Sequence, residues 1–182
     1  AADQDYAGAL FEAMASANLP VRFAAQTSIG LAGNPELLEA AAAAGAALFF
    51  VGFESVTRDA LVEANKKNRP GEYAKLVRRL HDADIAVEGG FIFGFDAHRP
   101  GVFAETVTAA DAIGVDTAHF TILTPLPGTQ TFSRLHGEGR IFDYDWSHYN
   151  AYRTLFHPQH MSPATLDGGL RWAYNAFYGT SV

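Results

Sequence analysis

Residues 47–55 read Ala-Leu-Phe-Phe-Val-Gly-Phe-Glu-Ser. Ala47 to Val51 is apolar at every position, which suits a strand covered on both faces, as strands inside a parallel sheet are. Three further runs share this character: Val21 to Ala25, Ile85 to Phe93 and Thr117 to Leu123. Segments of helical period separate them. Asn34 can cap a helix whose first turn holds Pro35 and whose end falls at Gly45. Pro70 opens a second helix, with Leu76, Val77 and Leu80 on its apolar face and Lys75, Arg78, Arg79 and Asp82 in water. Pro100 opens a third, burying Val102, Phe103, Val107 and Ile113 and ending at Gly114. Strand and helix alternate, so the expected fold is α/β with parallel strands. Four such strands do not close a barrel, and the expectation is a TIM-like half barrel.

After Pro127 the alternation stops. The chain turns aromatic and His-containing before a last helix from about Ser162 to Tyr178, where Leu166, Leu170, Ala173 and Phe177 recur at helical spacing. The expected organisation is residues 1–128 as part of a (βα) barrel and 129–182 as a helical C-terminal extension packed on it. The chain opens in a helical pattern, Tyr6, Leu10, Phe11 and Met14, with no strand ahead of it. We therefore expect a fragment.

Composition narrows the function. With 182 residues, 48% of them apolar, the chain can bury a full core, and its net charge of -7 offers no footprint for nucleic acid or anionic lipid. No apolar run approaches the roughly 20 residues of a membrane helix, and no signal peptide is visible at the start. A soluble, cytoplasmic protein is expected, with no nucleic-acid or membrane partner. Cysteine is absent, so no thiolate of this chain can ligate a metal or form a disulfide.

In parallel α/β folds, ligands are met at the carboxyl ends of strands. Those ends read Gln26-Thr27-Ser28, Gly52-Phe53-Glu54-Ser55, Gly94-Phe95-Asp96 and Thr124-Pro125-Leu126-Pro127-Gly128-Thr129. Glu54 follows an apolar strand, where a carboxylate needs donors. A ligand would supply them, and so would a neighbouring Lys or backbone amide. Ser55 equally suits a helix cap. In Gly89 to Asp96 (GGFIFGFD), the glycines permit close approach of a flat molecule, with Ile92 and Phe93 as wall. Strand glycines also mark bulges and tight packing.

VGFES (51–55), EANKK (63–67), GGFIFGFD (89–96) and ILTPLPGT (122–129), in that order and spacing, resemble the second half of a radical S-adenosylmethionine (SAM) domain of the cobalamin-associated type. The tail, IFDYDWSHYN (141–150) through MSPATLDGGLRWAYNAFY (161–178), resembles the C-terminal extension of the same proteins. The resemblance implies a partial (βα)6 barrel whose 4Fe-4S cluster reductively cleaves SAM to a 5′-deoxyadenosyl radical that attacks a small-molecule substrate. By motif position, Glu54 would hold the SAM ribose or methionyl amine, with Ser55 beside it. Lys66 would face the SAM carboxylate, unless it is a solvated lysine at a helix end. Gly90, Ile92 and Gly94 match the strand lining adenine, where Asp96 stands in place of the usual Glu. Leu123 and Thr124 would close the adenine pocket, and Gln26 and Ser28 would lie near SAM or substrate, or simply hydrogen-bond the backbone. The family's CxxxCxxC loop is missing, which implies truncation before the barrel's third strand. The partner of this chain would then be the N-terminal half of the barrel, holding the cluster and, in such proteins, an upstream cobalamin-binding domain. No catalytic residue or metal ligand is assigned in this chain, which is expected to be inactive alone.

Two alternatives compete. A metal-dependent TIM-like hydrolase would draw ligands from His119, Glu88, Asp96 and Glu54. A degenerate barrel would serve as an interaction module through sheet edges and the aromatic tail of Tyr144, Trp146, Tyr149, Tyr152, Phe156 and Trp172, residues that equally suit a packed satellite core.

Overall fold

A computed structural model describes residues 3–179. In chain order the elements are α1 (Gln4–Ser16), β1 (Phe23–Thr27), α2 (Pro35–Ala43), β2 (Ala46–Glu54), α3 (Arg58–Glu63), α4 (Tyr73–Asp82), β3 (Ala86–Phe93), α5 (Val102–Ile113), β4 (Thr117–Ile122), α6 (Gln130–Gly137) and α7 (Pro163–Tyr178). Short 3-10 turns lie at Ile29–Gly33, Pro70–Glu72 and Trp146–His148. The strands form one four-stranded parallel sheet in sequential order, β1-β2-β3-β4. Between β1 and β2 the register runs from Ala24 opposite Leu48 to Thr27 opposite Val51. The expected α/β class and half-barrel order are thus the observed ones.

The chain divides into two compact units, one of Ala1–Phe53, Asn68–Gly90 and Ala110–His119, the other of Glu54–Lys67, Phe91–Ala109 and Phe120–Val182. In the first unit, β2 alternates buried Phe49, Val51 and Phe53 with half-buried Leu48, Phe50 and Gly52. The period of two puts the first set against the helices: Tyr73, Val77 and Leu80 of α4 are fully buried, and the Phe53 and Tyr73 rings meet at 4.7 Å. Asn34 caps α2 through the Leu37 amide at 3.2 Å, and Gly45 leaves the helix at φ +93°.

In the second unit the core is aromatic. Phe120 stacks between Phe91 and Phe93 at 5.8 Å from each, and Phe93 meets Phe103 of α5 edge-on at 4.9 Å. Helix α7 completes it, burying Leu166, Leu170 and Ala173. Gly169 is required there, because a Cβ would lie 2.1 Å from the Phe103 ring. The Tyr174 hydroxyl accepts from the Phe120 amide at 3.2 Å and donates to the Phe120 carbonyl at 2.9 Å, so α7 satisfies backbone groups of β4.

Several expectations change. β1 begins two residues later than expected, which places Gln26 within it, and β2 continues to Glu54. The Pro70 helix starts as a 3-10 turn and becomes α-helical at Tyr73. On α5, Thr106 is buried where Val107 was expected to be. Helix α6 was not anticipated, and α3 was anticipated only as a helix that Ser55 could cap and Lys66 could end. Helices α3 and α6 have only 6 and 8 residues, too short for an apolar period to emerge, although Thr129 caps α6 through the Phe132 amide at 3.1 Å. Between α6 and α7 the tail is mostly irregular, pinned by an antiparallel bridge of Ile141 with Phe156.

Candidate functional site

Glu54 ends β2 at φ +66°, a left-handed conformation unusual for a residue with a Cβ. In the first unit, the carbonyls just before it are held: the Asn68 side-chain amide donates to Gly52 and Phe53 at 3.2 Å each, and the Tyr73 hydroxyl donates to Phe53 at 3.3 Å. Sequence reasoning passed over Asn68 and Tyr73. The only available signal was a polar pair flanking Pro70.

In the second unit, the Glu54 carboxylate meets Lys66, with Nζ 2.8 Å from Oε1. The Glu54 side chain is 17% exposed and that of Lys66 is 45% exposed. Lys66 follows α3, and its amide donates to the Leu61 carbonyl at 2.8 Å, which turns the chain back toward β2's end. Ser55 is buried and does not cap α3. Its hydroxyl accepts from the Thr57 amide at 3.1 Å and lies 3.3 Å from His98 Nε2. His98 Nδ1 accepts from the Gly94 amide at 3.2 Å. An acceptor Nδ1 leaves the proton of a neutral ring on Nε2, so His98 donates to Ser55. Burial lowers the His98 pKa to about 4.

Gly94 follows β3 at φ +100°, and a Cβ there would come within 3.0 Å of Leu166 and 3.6 Å of Leu123. Leu123 extends the pairing of β4, its amide donating to the Phe93 carbonyl at 2.8 Å. Gly94, Leu123, Ser55, Glu54 and Lys66 therefore belong to one unit, with Ile92 half-buried on β3. Thr124 belongs to it too, but its hydroxyl turns back to the Ile122 carbonyl at 3.1 Å. Gln26, Ser28 and Gly90 lie in the other unit. Gln26 is an exposed β1 residue opposite Phe50, and Ser28 is exposed and makes no side-chain cap to the 3-10 turn it precedes. The room left by Gly90 holds the Phe50 ring, since a Cβ would lie 2.7 Å from its Cζ.

Asp96 has a different task. Arg140 grips it with two bonds, 2.7 Å to Oδ1 and 3.1 Å to Oδ2, and Arg134 bonds Oδ2 as well. Arg134 also reaches Glu63 at 2.8 Å, whose other oxygen accepts from the Asp96 amide at 2.7 Å. Burial would raise the Asp96 pKa, but the hydrogen bonds from Arg140 and Arg134 outweigh it and hold the carboxyl below its ordinary value. For Glu63, burial and then the Asp96 charge raise it. This network joins α3, β3's end and α6.

The metal-hydrolase alternative needs four groups to converge, and they are engaged separately: Asp96 with two arginines, Glu54 with Lys66, and His119 with Glu88 at 3.5 Å. Among the described residues, no three His, Asp or Glu side chains are placed to hold a metal ion. Of the aromatic tail, Phe156 is fully buried, whereas Tyr144, Trp146, Tyr152 and Trp172 are about half exposed. Among the described residues no helix is long and apolar enough to cross a membrane.

The arrangement is a partial parallel (βα) barrel with charged and polar groups gathered at a strand's carboxyl end. Solved structures share this fold. The radical SAM methyltransferase TsrM from Kitasatospora setae, with cobalamin and a [4Fe-4S] cluster bound, matches 74% of this chain and 26% of its own at a TM-score of 0.65 and 17% identity. The same enzyme with tryptophan substrate and a SAM analogue matches 64% of this chain and 24% of its own at a TM-score of 0.56 and 18% identity. No family model matches the chain. In sequence, it is 36% identical over 158 residues to a bacteriochlorophyllide d C-12(1)-methyltransferase of Chlorobaculum tepidum, covering 86% of this chain and 34% of that protein. It is 30% identical over 145 residues to an anaerobic magnesium-protoporphyrin IX monomethyl ester cyclase of Cereibacter sphaeroides, covering 80% of this chain and 23% of that protein. The chain thus spans about a third or less of the length of these relatives.

Proposed function

We propose that this chain is the SAM-binding, C-terminal part of a radical SAM enzyme whose substrate is a tetrapyrrole. The observation that carries the reading is the 36% identity, over 86% of the chain, to a protein named for methylating a bacteriochlorophyllide. The fold shared with a cobalamin- and cluster-bound radical SAM methyltransferase supports it.

The residues present suit SAM. Its amino-acid end is a zwitterion, and Glu54 and Lys66 offer the two complementary charges side by side. Glu54 takes the ammonium, Lys66 the carboxylate, and Ile92 and Leu123 give adenine an apolar wall beside Gly94. Ser55 fixes the backbone next to Glu54. On the resemblance alone, Thr124 is assigned to close the adenine pocket, Gly90 to the strand lining adenine, and Gln26 and Ser28 to positions near SAM or substrate. With no cysteine, these residues do not fit a 4Fe-4S cluster, whose ligands would come from an N-terminal half barrel outside this chain. No residue here is assigned to cobalamin, which the parent would hold in a separate domain. Cluster and SAM together would supply the hydrogen-abstracting radical; the residues of this chain bind and orient SAM.

The test is incubation of the anaerobically reconstituted, reduced parent protein with methyl-labelled SAM and a magnesium tetrapyrrole. Label in the tetrapyrrole and release of 5′-deoxyadenosine are expected. Unconsumed SAM under reducing conditions would sink the proposal.

A further inference from the structure

Resting on the SAM site proposed above, we propose that His98 is its positioning residue, a clasp that fixes Glu54 by tying the turn after β2 to the turn after β3. His98 lies four residues beyond Gly94, between β3 and α5, and is 2% exposed. An imidazole in that position is unfavourable unless its nitrogens find partners, and both do. Nδ1 accepts from the Gly94 amide at 3.2 Å, and Nε2 reaches the Ser55 hydroxyl at 3.3 Å. Ser55 is the residue immediately after Glu54, and its own exposure is also 2%. Glu54 holds a left-handed φ, which in a residue with a Cβ persists only where its surroundings enforce it. The bonds to Ser55 from the Thr57 amide and from His98 are such an enforcement. The edge-on packing of Phe95 on the His98 ring, at 5.3 Å between centroids, holds the clasp in plane.

The two residues bonded to His98, Ser55 and Gly94, sit beside the carboxylate and the apolar wall assigned to SAM. His98 itself touches neither SAM charge partner, so its effect on the ligand passes through Ser55 and Gly94. A clasp of this kind governs how tightly SAM is held and not the chemistry that follows. Losing it gives a SAM KM that rises with kcat little changed.

The experiment measures the SAM dissociation constant of the reconstituted parent protein for His98→Asn, Ser55→Ala, the double variant and Glu54→Gln, with thermal unfolding of each alongside. Asn keeps an acceptor for the Gly94 amide and loses the reach to Ser55. One lost hydrogen bond at this depth corresponds to about a tenfold weaker dissociation constant. His98→Asn should show that loss, Ser55→Ala at least as much because it also removes the acceptor of the Thr57 amide, and the double variant no more than Ser55→Ala, because the bond between His98 and Ser55 is already gone in that single variant. His98→Asn and Ser55→Ala binding SAM as wild type while Glu54→Gln loses it would overturn the clasp and leave the site. So would losses that simply add. Unchanged binding by Glu54→Gln would instead refute the SAM site itself. Should His98→Asn fail to fold, Ser55→Ala against Glu54→Gln decides alone: wild-type affinity in Ser55→Ala overturns the proposal, and a tenfold loss supports it.

Discussion

Lys66 Nζ lies 2.8 Å from Glu54 Oε1, joining the last residue of β2 to the chain leaving α3. With the lysine side chain 45% exposed, such a pair contributes at most about 1 kcal/mol to stability. Lys66→Met should therefore change the unfolding free energy by less than about 1 kcal/mol. Its SAM affinity should fall about tenfold or more, the loss of one charge-assisted contact. Calorimetry on one sample reads both quantities, and a large stability loss with unchanged SAM binding would mark the pair as structural.

The left-handed backbone at Glu54 has its own signature. Glu54→Gly and Glu54→Ala both remove the carboxylate, but only glycine adopts φ +66° without strain. Glu54→Gly should be more stable than Glu54→Ala by about 1 kcal/mol. Chemical denaturation of the two variants measures the difference, and the reverse order would contradict the conformation.

Asp96 should matter to folding. Asp96→Asn leaves Arg140, whose side chain is 13% exposed, without its carboxylate fork, at a cost of about 2 kcal/mol at neutral pH. Since the Asp96 carboxyl is held below its ordinary value, the stability it contributes is complete above pH about 4 and disappears as pH falls through its folded pKa. Asp96→Asn should thus show a shallower acid loss below pH 4 than wild type. Equal slopes would rule out the pairing.

His98 titrates in the opposite chemical sense with the same direction of effect. Its folded pKa of about 4 lies below the free value of 6.5, so the unfolded chain binds the proton first. Stability is complete above pH 6.5 and declines toward pH 4, by up to about 1.4 kcal/mol per pH unit from this group. The ring's NMR signals should remain those of a neutral, Nε2-protonated imidazole at pH 6. An imidazolium spectrum there would remove the Gly94 acceptor.

The sheet was legible because ALFFV and GGFIFGFD are too apolar and too short for anything but buried strands, and because Asn34, Pro35, Gly45 and Gly114 punctuate the helices. Glu54 stood out for the same reason, as a carboxylate ending an apolar run. Its partner was foreseen only as an alternative, since Lys66 lies 12 positions away and the turn after α3 that returns it is invisible to periodicity. Hydrogen bonds between strand ends carry no sequence period either, so His98, Asn68 and the arginine clamp on Asp96 escaped notice. The Gly90 space was legible as space, but not that the Phe50 ring fills it.

The central claim, that Glu54 and Lys66 receive SAM beside a cluster held elsewhere, is tested most directly by electron paramagnetic resonance of the parent protein. The protein is reconstituted with iron and sulfide, reduced, and recorded with and without SAM, in wild-type form and as Glu54→Gln and Lys66→Met. A reduced-cluster signal that SAM perturbs in wild type, and perturbs less in both variants, is the predicted result. A folded parent with no cluster signal, or one whose response to SAM is the same in all three proteins, would contradict it.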